Sequence, residues 1–352
     1  MARLMCESQP DVHARDQDSP ARRKILSVIV LVYNEQENLV PFYERLGRTL
    51  ATLTRYEPEI IFVDDGSRDN SLIVLHTLRR NDPRIKLLKL SRNFGSWSAV
   101  AAGVGSACGD AVMWISSDLQ DPPEIIPQLL RPWEEGAHVV WAVRTERDDP
   151  APRRLLATLF YRILRRVGLP AYPALGTDVC LMDRRVATIF SQMRERNRFT
   201  QAMIMNLGFT QVTVPYKRER RHGGQSKWGN LPRLSKMGID MIVSTSSAPI
   251  RAMTLAGAAM VLSSVAFAVA LLAASALGGP PVAMWVPLVL AVIAVGGLNA
   301  LMLGVLGEYL WRVLEEVRGR PFYIVQERYG FGPTPSLADG NPLVEEQARR
   351  SE

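Results

Sequence analysis

The chain has 352 residues, 47% of them apolar, and carries 42 lysines and arginines against 35 aspartates and glutamates, a net charge of +7. The length admits two or three domains, and three scattered cysteines, Cys6, Cys108 and Cys180, exclude a disulfide framework or a zinc site and predict free thiols. The basic excess does not indicate nucleic acid, because the basic residues crowd around the ends of one uncharged stretch, which suits an anionic lipid surface.

Residues 1–24 are polar and charged with no apolar run, which predicts a disordered tail and not a signal peptide, so the following domain is expected in the cytosol. Residues 25–32, ILSVIVLV, form a β-branched apolar run, as expected of a strand buried on both faces. Helical spacing follows at Leu39, Phe42, Leu46 and Leu50. The pattern then predicts a strand at 59–63, a helix at 70–80, a strand at 85–90, an Ala-rich helix at 97–108, and strands at 111–115 and 138–143. Such alternation implies a parallel sheet with right-handed crossovers and a ligand crevice at the carboxyl ends of the strands. Those ends carry Asn34 and Glu35, Asp64 and Asp65, Arg92 and Asn93, Asp118 and Gln120, and Arg144.

A dinucleotide site is excluded at the first strand, which turns into YNEQEN without a glycine, and Gly103-Val-Gly105 follows a helical stretch where such a site needs a strand. The stretch at 114–124, WISSDLQDPPE, begins as a strand and ends with a helix start: Asp121 as N-cap, Pro122 at the first helical position and Glu124 reaching back. That leaves Asp118 and Gln120 without a structural account.

Further along, 153–167 is helical and basic, a strand at 179–182 follows Asp178, helices run to Leu207, and a strand at 211–215 leads into the loop KRERRHGGQSKW. Residues 229–248 have an apolar face opposite a basic-leaning one, which predicts an interfacial amphipathic helix. Residues 252–307 contain no Asp, Glu, Lys or Arg, and two transmembrane helices are expected within 249–311. Arg251, Arg312, Arg318 and Arg320 would keep both ends of this hairpin, and the segment 312–352, in the cytosol. Gly296, Ala300 and Gly304 would permit close helix packing there.

VYNEQEN, VDDGSRD, LSRNFG, SSDLQDPPE, the Gly-Thr-Asp178 segment, RERRHGGQSK and GEYLWRVLEEVRGRPFYIV, in this order, resemble glycosyltransferase family 2, and within it the polyprenyl-phosphate glycosyltransferases. The resemblance implies an α/β catalytic domain of GT-A fold, Rossmann-like with a mostly parallel sheet, over 25–228. It further implies a UDP- or GDP-linked sugar donor, a polyprenyl phosphate acceptor and Mg²⁺ or Mn²⁺, at an inner (plasma) membrane, with no nucleic acid and with homo-oligomerisation left open. Asp118 and Gln120 would hold the metal, although Ser116 stands where the family's Asp-x-Asp element has its first acid. Asn34, Glu35, Asp64 and Asp65 would hold the nucleotide. Asp178 would be the acceptor-side carboxylate, and Arg144, Arg218, Arg221, Ser226 and Lys227 would bind phosphates. A processive polysaccharide synthase shares the domain but resembles its relatives in a Gln-x-x-Arg-Trp motif that this chain lacks. A non-catalytic nucleotide-sugar sensor is the remaining alternative.

Overall fold

The computed structural model describes residues 23–145, 162, 177–193, 200–219, 248–276, 285–319 and 321–331. Its first nine elements alternate as the hydrophobic periodicity predicts: β1 (Lys24–Val32), α1 (Leu39–Ala51), β2 (Tyr56–Asp64), α2 (Ser71–Asn81), β3 (Ile85–Leu90), α3 (Ser96–Ser106), β4 (Ala111–Ser116), α4 (Ile126–Glu134) and β5 (Val139–Arg144). Then come β6 (Thr177–Asp183), α5 (Arg184–Gln192), α6 (Thr200–Met205), β7 (Gln211–Tyr216), two long helices, α7 (Ala248–Ala276) and α8 (Trp285–Val317), and β8 (Val325–Tyr329).

The eight strands form one sheet in the order β7-β5-β6-β4-β1-β2-β3-β8. β1 pairs in parallel with β2 and β4, β2 with β3, and β5 with β7, whereas β6 runs antiparallel to both β4 and β5. The amino end of β6, Thr177 and Asp178, therefore lies at the sheet edge where the parallel strands end.

Alternate residues of the buried strands feed two cores. Val28, Val30, Phe62 and Leu87 meet Leu39, Phe42 and Leu46 of α1, Leu75 of α2 and Leu129 of α4 on one face. Ile29, Ile61, Leu88 and Trp114 meet α3, Phe190 of α5 and Ile204 of α6 on the other. The three-layer α/β arrangement follows, with its crevice at the carboxyl end. Gly103 serves this packing and no ligand, since a Cβ there would lie 2.4 Å from Ile29 Cγ2.

Three expectations are corrected. Among the described residues no helix is long and apolar enough to cross a membrane, which overturns the two-span transmembrane hairpin and the multi-pass inner-membrane location built on it. A span needs about 20 consecutive apolar residues, and the described residues supply no such uninterrupted run. Among the described residues the small residues of α8 do not form the helix contact either: Cβ atoms built at Gly296 and Gly304 meet none of them within 4 Å, whereas one at Gly257 of α7 would meet Met302 Sδ at 3.7 Å. Cys180 is a free, buried thiol, but Cys108 is disulfide-bonded, a pairing that chain spacing does not announce. Beyond α8, β8 joins the sheet antiparallel to β3. Of the expected tail at 1–24 and amphipathic helix at 229–248, residues 1–22 and 229–247 fall outside the described residues, as does the basic helix at 153–167 apart from helical Arg162, whereas Lys24 opens β1 and Ala248 opens α7.

Candidate active site

β1 ends at Val32, and two residues later Asn34 takes φ 52°, a left-handed conformation that asparagine tolerates better than most side chains. From there its N–H donates to Ser67 Oγ (2.9 Å) and its Oδ1 accepts from the Arg68 N–H (2.8 Å). Glu35, largely buried, donates its N–H to Ser71 Oγ (2.9 Å), and its carboxylate accepts from Asn38 Nδ2 (2.6 Å). Both residues thus pin the loop after β1 to the loop after β2.

Asp64 and Asp65 divide their work. Asp64 is fully buried; its Oδ1 accepts from the Ser67 N–H (3.2 Å), while its Oδ2 finds no hydrogen-bond partner among the described residues. Burial pushes its pKa up. Asp65 accepts from the N–H groups of Phe94 (2.7 Å) and Gly95 (2.9 Å), so it fastens the loop after β3. Burial raises its pKa to about 6, against the opposing pull of those two bonds. Between the two loops Gly66, at φ +68°, allows an approach that a Cβ would forbid at 2.4 Å from the Arg92 carbonyl carbon.

The acidic turn after β4 carries the second half of the site. Leu119, buried and non-glycine, is held at φ 60°, a strained conformation that persists only where the surroundings enforce it. It separates Asp118, whose Oδ1 accepts from the Gln120 N–H (3.1 Å), from Gln120, whose carbonyl accepts from the Glu219 N–H (2.8 Å). The expected capping box does not form. The 3-10 turn Pro123–Ile125 starts from Pro122 without a side-chain cap, and Glu124 turns outward to Arg45, at 3.0 and 2.9 Å. Arg45 also holds Glu219 (3.0 and 2.9 Å), tying α1 to the segment after β7.

Asp121, released from capping, is 1% exposed and accepts from the Tyr216 hydroxyl at 2.5 Å. Arg218 then gathers three carboxylates: Nη1 lies 3.2 Å from Asp178 Oδ2, Nε 3.4 Å from Asp121 Oδ1, and Nη2 4.0 Å from Asp118 Oδ2. Arg144, at the end of β5, forms an ion pair with Asp178. Three carboxylates against two guanidiniums leave one negative charge in excess, before Glu35 is counted. The Asp118 pKa is raised, mainly by burial and then by Asp121, with Arg218 pulling the other way.

The structure therefore brings Asp118, Asp178, Arg144 and Arg218 together on the β4-to-β7 side, and Asn34, Glu35, Asp64 and Asp65 on the β1-β2 side. Arg221, Ser226 and Lys227 lie outside the described residues. Sequence reading missed Asp121 as a site residue, because its Pro-Pro-Glu context imitates a helix start, and missed Tyr216, Arg45 and Glu219, for which no local signal exists. Among the described residues no group of three or more His, Cys, Asp or Glu is arranged to hold a metal by itself. The donor set fits a divalent cation that takes one or two protein oxygens and completes its shell with phosphate oxygens and water; Asp121 Oδ2, buried without a hydrogen-bond partner, adds an acceptor beside it.

The pattern of Glycosyl transferase family 2 matches residues 27–191. An uncharacterized glycosyltransferase of Synechocystis is 38% identical over 88% of this chain and 97% of its own length. The bactoprenol glucosyl transferase of Shigella phage SfII is 34% identical over 88% of this chain and 99% of its own. A solved structure of glucosyl-3-phosphoglycerate synthase from Mycobacterium tuberculosis, in complex with Mn²⁺ and UDP-glucose, is 18% identical over 62% of this chain and 77% of that one, with a TM-score of 0.41, too distant to assign residue roles. The chain belongs to glycosyltransferase family 2, related to the bactoprenol and other polyprenyl-phosphate sugar transferases, and transfers a sugar from a nucleoside-diphosphate donor to an acceptor.

Proposed function

We propose that the acceptor is a polyprenyl phosphate and that the sugar is a hexose or a close derivative, transferred with inversion at the anomeric carbon. The observation that carries this reading is the cluster of Asp118, Asp121 and Asp178 around Arg218, with Arg144 on Asp178, at the ends of four neighbouring strands. An acceptor phosphate needs cations beside the anomeric carbon, and these two arginines stand where the chain can present them to it. Similarity to bactoprenol glucosyl transferases over nearly their whole length supports the lipid phosphate over a sugar hydroxyl.

Mg²⁺ or Mn²⁺, held by Asp118 and Gln120, would supply counter-charge to the departing diphosphate. Asn34, Glu35, Asp64 and Asp65 form the wall for the nucleotide. A phosphate monoester is already largely ionised at neutral pH, with a second pKa near ~6, so Asp178 has no strong-base task. It orients Arg144 and Arg218, and through them the acceptor. Arg221, Ser226 and Lys227 complete phosphate binding in this scheme.

The test offers the purified full-length chain a panel of labelled nucleotide sugars with undecaprenyl phosphate. A labelled product that partitions with lipid is expected, and Asp178→Asn should lower kcat while donor affinity stays unchanged. Transfer only to water-soluble acceptors would overturn the assignment. An acid limb in the pH profile of kcat that vanishes in Asp178→Asn would overturn the orienting role of Asp178, since that marks an obligatory general base.

A further inference from the structure

Opposite the acidic cluster, on the β2-β3-β8 side of the sheet end, lies a cavity of about 290 Å³. Ser67 and Arg68 from the loop after β2 and Arg92 and Asn93 from the loop after β3 line it. Gln326 also lines it, although it comes from β8, more than two hundred residues further along the chain.

The register explains how Gln326 arrives there. Leu87 pairs with Tyr329, Leu88 with Arg328, Lys89 with Glu327 and Leu90 with Val325, so the ladder slips at Lys89/Leu90 and Gln326 is the extra residue of a β-bulge. Bulges re-aim a side chain that a regular ladder would send elsewhere. The strand is fixed on both sides of the bulge. Lys89 Nζ holds Glu327 at 2.6 Å, and the Ser91 N–H donates to the Ile324 carbonyl at 3.0 Å. Val325 and Tyr323 pack into the core on the α3 face, and Tyr329 stacks edge-on against His76 of α2 with ring centroids 4.6 Å apart. Gln326 itself is exposed and contributes nothing to this packing, which leaves its carboxamide available to a ligand.

Position in the sheet says which part of a donor this cavity faces. β1 lies between the two halves of the crevice, with β4 to its one side and β2 and β3 to the other. At a strand spacing of about 4.8 Å, the ends of β3 and β4 are separated by three intervals, roughly 14 Å. A nucleoside diphosphate laid across the end of β1, with its phosphates toward Asp118, brings its base to the cavity. A carboxamide offers one acceptor and two donors side by side, and Arg68 and Arg92 add donors only. The carboxamide pairs with a carbonyl oxygen beside an N–H, as uracil and guanine have, and equally with an amino group beside a ring nitrogen, as adenine has, whereas the donor-only arginines favour the carbonyl-bearing bases.

We propose that Gln326, delivered by the β8 bulge, contacts the nucleobase of the donor, with Arg68 and Arg92 biasing the cavity toward a carbonyl-bearing base. This rests on the donor lying along the strand ends as described above. Calorimetric titration of the full-length chain with UDP, GDP, ADP and inorganic pyrophosphate, each with Mg²⁺, tests it. The wild type should bind UDP or GDP in preference to ADP. Gln326→Ala should weaken the preferred nucleotide by about tenfold, the scale of one neutral hydrogen bond, and leave pyrophosphate affinity unchanged. Unaltered affinities for all three nucleotides, or an equal loss for pyrophosphate, would overturn the proposal. A wild-type chain that bound pyrophosphate as tightly as every nucleotide would overturn the placement of the base, whereas failure of the polyprenyl phosphate assay alone would leave this result standing.

Discussion

Arg218→Ala separates two things that the guanidinium does at once. It neutralises Asp118, Asp121 and Asp178, and it occupies the space in which a divalent cation would approach Asp118. Two unit charges 4 Å apart interact by about 4 kcal/mol at an effective dielectric near 20, and Arg218 Nη2 lies 4.0 Å from Asp118 Oδ2. Asp118 is 13% exposed and Arg218 24%, so solvent screening reduces the figure to about 1–2 kcal/mol, close to one pKa unit. Removing the arginine takes away a charge that lowers the Asp118 pKa and leaves burial and Asp121, which raise it. The pH below which metal binding is lost should therefore move up by about one unit in Arg218→Ala.

Above that limb the sign reverses, because the variant no longer sets a cation against a cation. Mn²⁺ affinity at pH 8 should tighten by about tenfold, since about 1.4 kcal/mol is a factor of ten, even as turnover falls for want of a phosphate-binding group. Free Mn²⁺ measured by electron paramagnetic resonance from pH 4 to 8, on wild type and variant of matched circular dichroism, gives both numbers. Weaker Mn²⁺ binding at every pH with an unmoved limb would refute the reasoning and place the metal away from Asp118.

Asp65, with a folded-state pKa of about 6 against an ordinary 3.8, contributes stability that is fully present below about pH 4 and is lost as pH rises through 6. The change is up to about 3 kcal/mol, and urea unfolding of wild type and Asp65→Asn at pH 4 and 7 should show that fall in the wild type only; parallel profiles would contradict it. Tyr216→Phe strips buried Asp121 of its hydroxyl donor, so unfolding free energy should drop by about 1–3 kcal/mol, and an unchanged value would mean that Arg218 alone satisfies that carboxylate.

Much of the sheet was legible because parallel strands buried on both faces are continuous β-branched runs, and ILSVIVLV has no other stable use in a soluble layer. β8 was illegible for the converse reason. VQERY is an edge strand paired on one side, with three consecutive polar residues and none of its residues buried, and it owes its conformation to β3 and not to its own pattern. The long uncharged stretch gave the right elements, two long helices, and the wrong conclusion about a membrane hairpin. Charge deficit alone does not establish that a helix is long and apolar enough to span.

The site was legible wherever a residue's role follows from its place at a strand end, and illegible wherever it follows from pairing between distant loops. Asp118 and Asp65 belong to the first kind. Asp121 belongs to the second: Asp-Pro-Pro-Glu is a sound local signal for a cap, but a cap has to remain near its helix, and here Tyr216 and Arg218 arrive from β7 to take the carboxylate inward. The reversal of β6 completes the same logic. Were β6 parallel to β4, Thr177 and Asp178 would lie at the far edge of the sheet; because it is antiparallel, its first residues reach the crevice, and Asp178 meets Arg144 and Arg218 there. One change of strand direction therefore brings Asp178 to the two arginines, and nothing in the residues adjoining Asp178 encodes that direction.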